Sequence, residues 1–155
     1  MTWTHTRPSV FLTFEDAVAQ LGRAPRVLLA EQDAALRTAL TTFLESRGHD
    51  VEVAGDAQLL EQLLHRCAHW EHVPWTPDVV ITGVHVGRDP AMQTLRRARH
   101  AGIPTPVLLV CEAQDGALRR DVALLEDAEV FEAPLDLEAL ELTLLHAACG
   151  CTPPH

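Results

Sequence analysis

Short apolar runs alternate along this chain with segments in which leucines recur at helical spacing. The runs are Val27 to Ala30, Val51 to Ala54, Val79 to Thr82 and Val107 to Cys111, with a weaker one at Val130-Phe131. Short apolar runs of this kind, alternating with helical segments, read as strands of a covered parallel sheet. Between them, Leu36, Leu40, Phe43 and Leu44 share one helical face. Leu59, Leu60, Leu63 and Leu64 form a second such face, Met92 with Leu95 a third, and Leu118, Val122 and Leu125 a fourth. The last helix carries Leu137, Leu140 and Leu144. Strand and helix alternating five times predict an α/β domain, a parallel sheet covered on both faces.

The punctuation agrees. Gly48 closes the first helix of the repeat, Asp56 caps the second and Asp136 the last. Pro77 precedes the third strand, and Pro104 and Pro106 bracket the entry to the fourth. The predicted organisation is an N-terminal extension over residues 1–25, a domain over 26–148 and a tail over 149–155 containing Pro153-Pro154. No second domain is expected after the last helix. Thr13-Phe14-Glu15-Asp16 resembles a capping box opening a short helix that ends at Gly22. The apolar residues Phe11, Phe14, Val18 and Leu21 suggest that the extension buries something, whether by packing on the domain or by exchange between protomers.

Composition narrows the chemistry. At 155 residues the chain is long enough for one full core. Its net charge of −10 disfavours nucleic acid as a partner. All 12 basic residues are arginine, so Schiff-base chemistry and a P-loop lysine are excluded. The four cysteines, Cys67, Cys111, Cys149 and Cys151, match no disulfide framework. No secretory signal and no window of roughly 18 apolar residues is visible, so neither secretion nor a membrane span is expected, and a cytoplasmic location is. Gly-x-Gly-x-x-Gly and Gly-x-Ser-x-Gly motifs are absent.

In an open parallel sheet, functional groups collect at the carboxyl ends of the strands. Here those ends read Glu31-Gln32-Asp33, Thr82-Gly83, Cys111-Glu112 and Glu132-Ala133-Pro134. Arg-Val-Leu-Leu-Ala-Glu-Gln-Asp (26–33), Pro-Asp-Val-Val-Ile-Thr-Gly (77–83), Gly-Ile-Pro-Thr-Pro-Val-Leu-Leu-Val-Cys (102–111) and Glu-Val-Phe-Glu-Ala-Pro-Leu (129–135) resemble the response-regulator receiver domains of two-component signalling, in order and in spacing. The resemblance implies a CheY-like, flavodoxin-like (βα)5 three-layer sandwich with a parallel five-stranded sheet of order 2-1-3-4-5. It also implies phosphotransfer to an aspartate beside a bound magnesium ion.

The residues depart from that chemistry. Gly83 stands where the resemblance implies the acceptor aspartate, and glycine cannot form an acyl phosphate. Of the implied metal-binding acids, Glu31 remains and Gln32 is neutral, so Mg²⁺ binding is expected to be lost and no cofactor is expected. Cys111 replaces the implied hydroxyl, Ala133 the implied lysine and Val130 the implied switch aromatic. Asp78 lies at the far end of the third strand, about 16 Å from the acceptor position, and Asp89 follows in the next loop. The expectation is a degenerate pseudo-receiver, not an enzyme, that binds a signalling protein independently of phosphorylation. Alternatives are a phosphorelay component using a non-standard residue, or a ligand or metal sensor.

Several residues carry two readings. Asp33 is either a helix cap or part of a residual cation site, and Cys111 either a buried small hydrophobe or a redox sensor. His65, His69 and His72, at i, i+4 and i+7, are metal-ligand candidates or an exposed histidine-rich helix end. Arg96, Arg97, Arg99 and His100 make a solvated face or an anion site. In the last helix a second stripe, Leu135, Leu142, Leu145 and Cys149, lies almost opposite the first and is the candidate surface for a partner or a homodimer.

Overall fold

A computed structural model describes residues 12–69, 75–86, 89–112 and 116–150. It contains α1 (Phe14–Leu21), β1 (Arg26–Ala30), α2 (Ala34–Ser46), β2 (Asp50–Val53), α3 (Ala57–His69), β3 (Val79–Gly83), β4 (His85–Val86), β5 (Asp89–Pro90), α4 (Ala91–His100), β6 (Val107–Cys111), α5 (Gly116–Ala123), β7 (Ala128–Glu132) and α6 (Leu137–Ala148). The main sheet is parallel, in the order β2-β1-β3-β6-β7. Counting only its own strands along the chain, that is 2-1-3-4-5. The flavodoxin-like arrangement implied by the sequence is therefore present.

Alternation along each strand feeds two cores. Leu28, Ala30, Val80, Val107, Leu109 and Cys111 point to the side of α3, α4 and α5. Val27, Leu29, Val79, Ile81, Leu108 and Val110 point to the side of α2 and α6. Every residue of β3 and β6 is buried, as a central strand covered on both faces requires. Each layer would lose about 2–5 kcal/mol if one of its fully buried leucines, such as Leu28 or Leu140, were cut to alanine.

The helix signals are realised locally. Asp33 Oδ1 accepts from the N–H groups of Ala35 (2.9 Å) and Leu36 (3.2 Å). Asp56 and Asp136 cap α3 and α6 in the same way. Gly48 has φ of 98° and follows the end of α2, where its N–H donates to Glu45 O at 3.0 Å.

Two arrangements depart from expectation. The loop after β3 contains a short antiparallel ladder, with His85 opposite Pro90 and Val86 opposite Asp89. A ladder of two pairs is too short to leave a hydrophobic pattern. The N-terminal segment packs on the domain. Thr13 and Asp16 form the reciprocal capping box of α1, and Ala17 is fully buried in the α2/α6 core. Phe11 lies outside the described residues.

Candidate functional site

The carboxyl ends of β1, β3, β6 and β7 converge on one cleft of ≈ 930 Å³. Its polar lining is Glu31, Gln32, Asp33 and Glu112, and its apolar wall includes Leu36, Leu40, Val84 and Leu135, with Cys111 and Ala133 between. The parallel register sets this convergence. Thr82 lies opposite Ala30, Gly83 opposite Val110, and Cys111 opposite Glu132. The backbone N–H of Ala133 donates to Cys111 O at 2.9 Å and continues the ladder past the end of β7.

Gly83 and Glu31 define the centre. A methyl group placed on Gly83 would lie 2.6 Å from both carboxylate oxygens of Glu31 and 3.0 Å from its Cδ. The Glu31 side chain therefore fills the volume into which any side chain at position 83 would extend. Glu31 is only 8% exposed. Burial pushes its carboxyl above the ordinary glutamate range, and the backbone N–H groups of Asp33 and Gln32 offset this only in part. The Asp33 N–H lies 3.4 Å from Oε2, a long bond. Arg37 donates to the Glu31 backbone carbonyl at 3.0 Å. Among the described residues no ion pair includes the Glu31 carboxylate.

The other predicted positions surround this centre. Gln32 and Ala133 are exposed, Cys111 is buried, and Val130 is half-buried against the α3/α4/α5 core. Thr82, buried beside Gly83, donates its hydroxyl to the Gly83 carbonyl at 3.0 Å. The carboxylate of Asp33 is engaged in capping α2. Asp78 is held at the opposite end of β3 by a bidentate contact from Arg23 (2.7 and 3.0 Å) and by the Arg26 N–H (2.8 Å). The chain has no lysine, and among the described residues Asp33 is engaged in capping α2 and the Thr82 hydroxyl donates to the Gly83 carbonyl, a donor set that does not match a magnesium-assisted acceptor.

The stripe assigned to partner binding is largely covered within the domain. Leu145 is 4% exposed and belongs to the α2/α6 core. Leu135 and Cys149 are half-buried against that same core, and Leu142 is half-buried beside α1. A helical wheel cannot anticipate this cover, because α1 arrives from outside the repeating pattern. His65 Nδ1 lies 2.9 Å from the Glu61 carbonyl. His69 ends α3, and His72 lies outside the described residues, as does Cys151. Among the described residues no group of three or more potential ligands comes within metal-binding geometry. Arg97 pairs with Glu61 at 2.8 Å, and Arg99 donates to the carbonyls of Ile103 and Glu126.

Sequence reasoning missed a buried polar bridge. Glu141, 5% exposed on α6, accepts from Arg47 Nη2 (2.7 Å) and contacts His49 Nε2 (2.8 Å). Burial raises the Glu141 carboxyl, but the bonds from Arg47 and His49 outweigh it and hold the group below the ordinary range. The only signal was an acid interrupting a leucine stripe.

Comparison with known proteins gives the class. No protein-family model matches the chain. Its fold is shared with the crystal structure of FixJ-N (TM-score 0.69, 13% identity, covering 81% of this chain and 94% of that one). The Francisella response regulator 1452 receiver domain is similar (TM-score 0.67, 19% identity, 80% and 96% covered). A response regulator receiver protein from Pseudomonas putida reaches 26% identity (TM-score 0.62, 76% and 93% covered). Fold and sequence together place the chain in the class of CheY-like response-regulator receiver domains.

Particular relatives follow from sequence. The chain is 31% identical over 120 residues to the transcriptional regulatory protein TrcR of Mycobacterium tuberculosis, covering 77% of this chain and 43% of that protein. It is 33% identical over 91 residues to the virulence transcriptional regulatory protein PhoP of Salmonella typhimurium, covering 59% and 37%. The chain thus spans less than half the length of these relatives. No helix among the described residues is long and apolar enough to cross a membrane.

Proposed function

We propose that this receiver domain signals by binding a protein partner, independently of phosphorylation and without catalysis. The observation that carries this reading is the Glu31 carboxylate lying over Gly83, in the volume an acceptor side chain would occupy. A phosphoryl acceptor needs a nucleophilic oxygen there, anionic oxygens to hold a hard cation, and a donor to neutralise the transferred charge. Gly83, Gln32, Cys111 and Ala133 supply none of these at full strength. Glu31 is a single carboxylate, and its burial raises the cost of its charged form.

The fold without the chemistry leaves surfaces as the working parts. The acidic net charge of −10 argues for a protein partner over nucleic acid, and the composition for a cytoplasmic setting. Magnesium and acetyl phosphate, added together, should leave the amide spectrum of the domain unchanged at β7, α6 and the Glu31–Asp33 loop. Coherent shifts through those elements on adding both reagents, absent with either alone, would sink the reading.

The cleft itself favours a second reading, a sensor for a small ligand. A space of ≈ 930 Å³ with an apolar wall and a few polar groups has the character of a ligand site. A thermal-shift screen with nucleotides, Zn²⁺ and Cu²⁺ tests it. A ligand at 100 times its Kd adds about 2.7 kcal/mol, so the absence of any shift at millimolar ligand would reject this reading.

A further inference from the structure

The second leucine stripe of α6 and the N-terminal extension belong to one place. Helix α1 lies along α6, on the side carrying Leu142 and Leu145. Phe14 reaches past the end of α2. Its ring meets His49 edge-on, with centroids 5.2 Å apart, and a methyl group on Gly48 would lie 2.8 Å from Phe14 Cζ. Ala17, one turn on, is fully buried against the α2/α6 core, while Val18 and Leu21 are half-buried. The seat beneath α1 is thus formed by Gly48, His49, Leu142 and Leu145, with the Arg47–Glu141 pair at its rim.

Helix α1 is short and occupies this seat with few side chains. Eight residues are too few to be helical alone, so α1 depends on docking and on its capping box. It buries one residue fully. A further space of ≈ 610 Å³ remains between it and α6, lined by Leu12, Phe14, Arg47, Glu138, Leu142 and Leu145. Its connection ends in an anchored hinge. Gly22 is left-handed at φ of 77°, and the next residue, Arg23, is clamped to Asp78. The chain is thus tied to the domain directly after α1, independently of the contacts that α1 itself makes.

We propose that the α1 seat on α6 is the partner-binding surface, that α1 covers it in cis, and that the partner displaces α1 with an amphipathic helix of the same pattern. That pattern is an aromatic residue, a small residue three positions later and an aliphatic residue seven positions later, as in Phe14, Ala17 and Leu21. The in-cis helix acts as a tethered competitor. Its effective concentration is on the order of millimolar, so a partner helix must bind more tightly than α1 does or act when α1 is loosened. The proposal rests on the reading that the domain works by binding a protein.

A labelled peptide of residues 12–24 serves as the probe partner, added to the full chain. One variant, Phe14→Ala with Ala17→Asp, removes the anchors of α1. A second, Thr13→Ala with Asp16→Ala, removes only its exposed capping box and leaves the seat untouched, so it tests the idea even if the first variant folds poorly. Amide exchange over residues 14–21 reports release of α1. The proposal expects faster exchange in both variants and peptide binding roughly tenfold or more tighter than to the wild type. It also expects Leu142→Arg to abolish the gain. Equal peptide affinity for variants and wild type, or α1 amides that stay protected in both, overturns it. So does a wild-type dimer in which α1 is exchanged, since the occupant is then a second copy. Phosphorylation of the chain would refute the functional reading while leaving this competition intact, so the two failures are distinguishable.

Discussion

Glycine at position 83 matters less for the freedom it gives the backbone than for the side chain it admits from elsewhere. With no Cβ in the way, the Glu31 carboxylate enters a site where it is desolvated and weakly hydrogen-bonded. Because its folded-state pKa lies above the unfolded value, Glu31 contributes stability fully present below the unfolded pKa and lost as pH rises through the folded one. Glu31→Gln is therefore expected to raise the midpoint of thermal unfolding at pH 7, with the advantage vanishing below about pH 4.5. Equal or lower stability of that variant at pH 7 would contradict the assignment. Gly83→Ala should push the Glu31 carboxylate outward into the cleft, and ¹³C titration should show its pKa falling toward the ordinary range. Gly83→Asp crowds two carboxylates together and should cost about 1–3 kcal/mol at pH 7, and less at pH 4. Gly83 could be singled out from sequence because a resemblance fixed its place in a strand. That Glu31 fills the space could not, since it depends on a rotamer chosen by the packed cleft.

At the scale of elements, most strands and helices of the repeat were legible because each carries a pattern: apolar runs in β1, β3 and β6, buried throughout in β3 and β6, and apolar residues at helical spacing in the helices. What escaped was pairing between elements distant in sequence. The Glu141 bridge ties α6 to the end of α2 across more than ninety residues, and no local pattern encodes that. Its folded-state pKa is depressed, so its contribution is present above the unfolded pKa and is lost as pH falls through the folded one. Glu141→Ala should cost about 2–3 kcal/mol in urea unfolding at pH 7, and the difference from wild type should shrink in acid. An unchanged difference down to pH 3 would show that packing, not charge, is lost. Replacing the Asp33 cap with alanine should cost about 0.5–2 kcal/mol and leave the cleft chemistry unaltered. A larger loss, accompanied by a changed response to magnesium, would return Asp33 to the list of cation ligands.

The whole molecule keeps the receiver sandwich, while Gly83, Gln32, Cys111 and Ala133 differ from the residues that the resemblance implies for phosphoryl chemistry. The sheet order and the convergence of four strand ends persist because they are set by the two apolar cores, which do not depend on what lines the cleft. The N-terminal helix adds a cover on the α6 side, beside Leu142, while Leu135, Leu145 and Cys149 pack in or against the α2/α6 core. The most direct test of the central claim is intact-mass spectrometry of the wild-type chain after incubation with acetyl phosphate and Mg²⁺, quenched without acid or base. The account predicts an unchanged mass. A stoichiometric gain of one phosphoryl group, mapped to any residue at the carboxyl ends of β1 or β3, would contradict it.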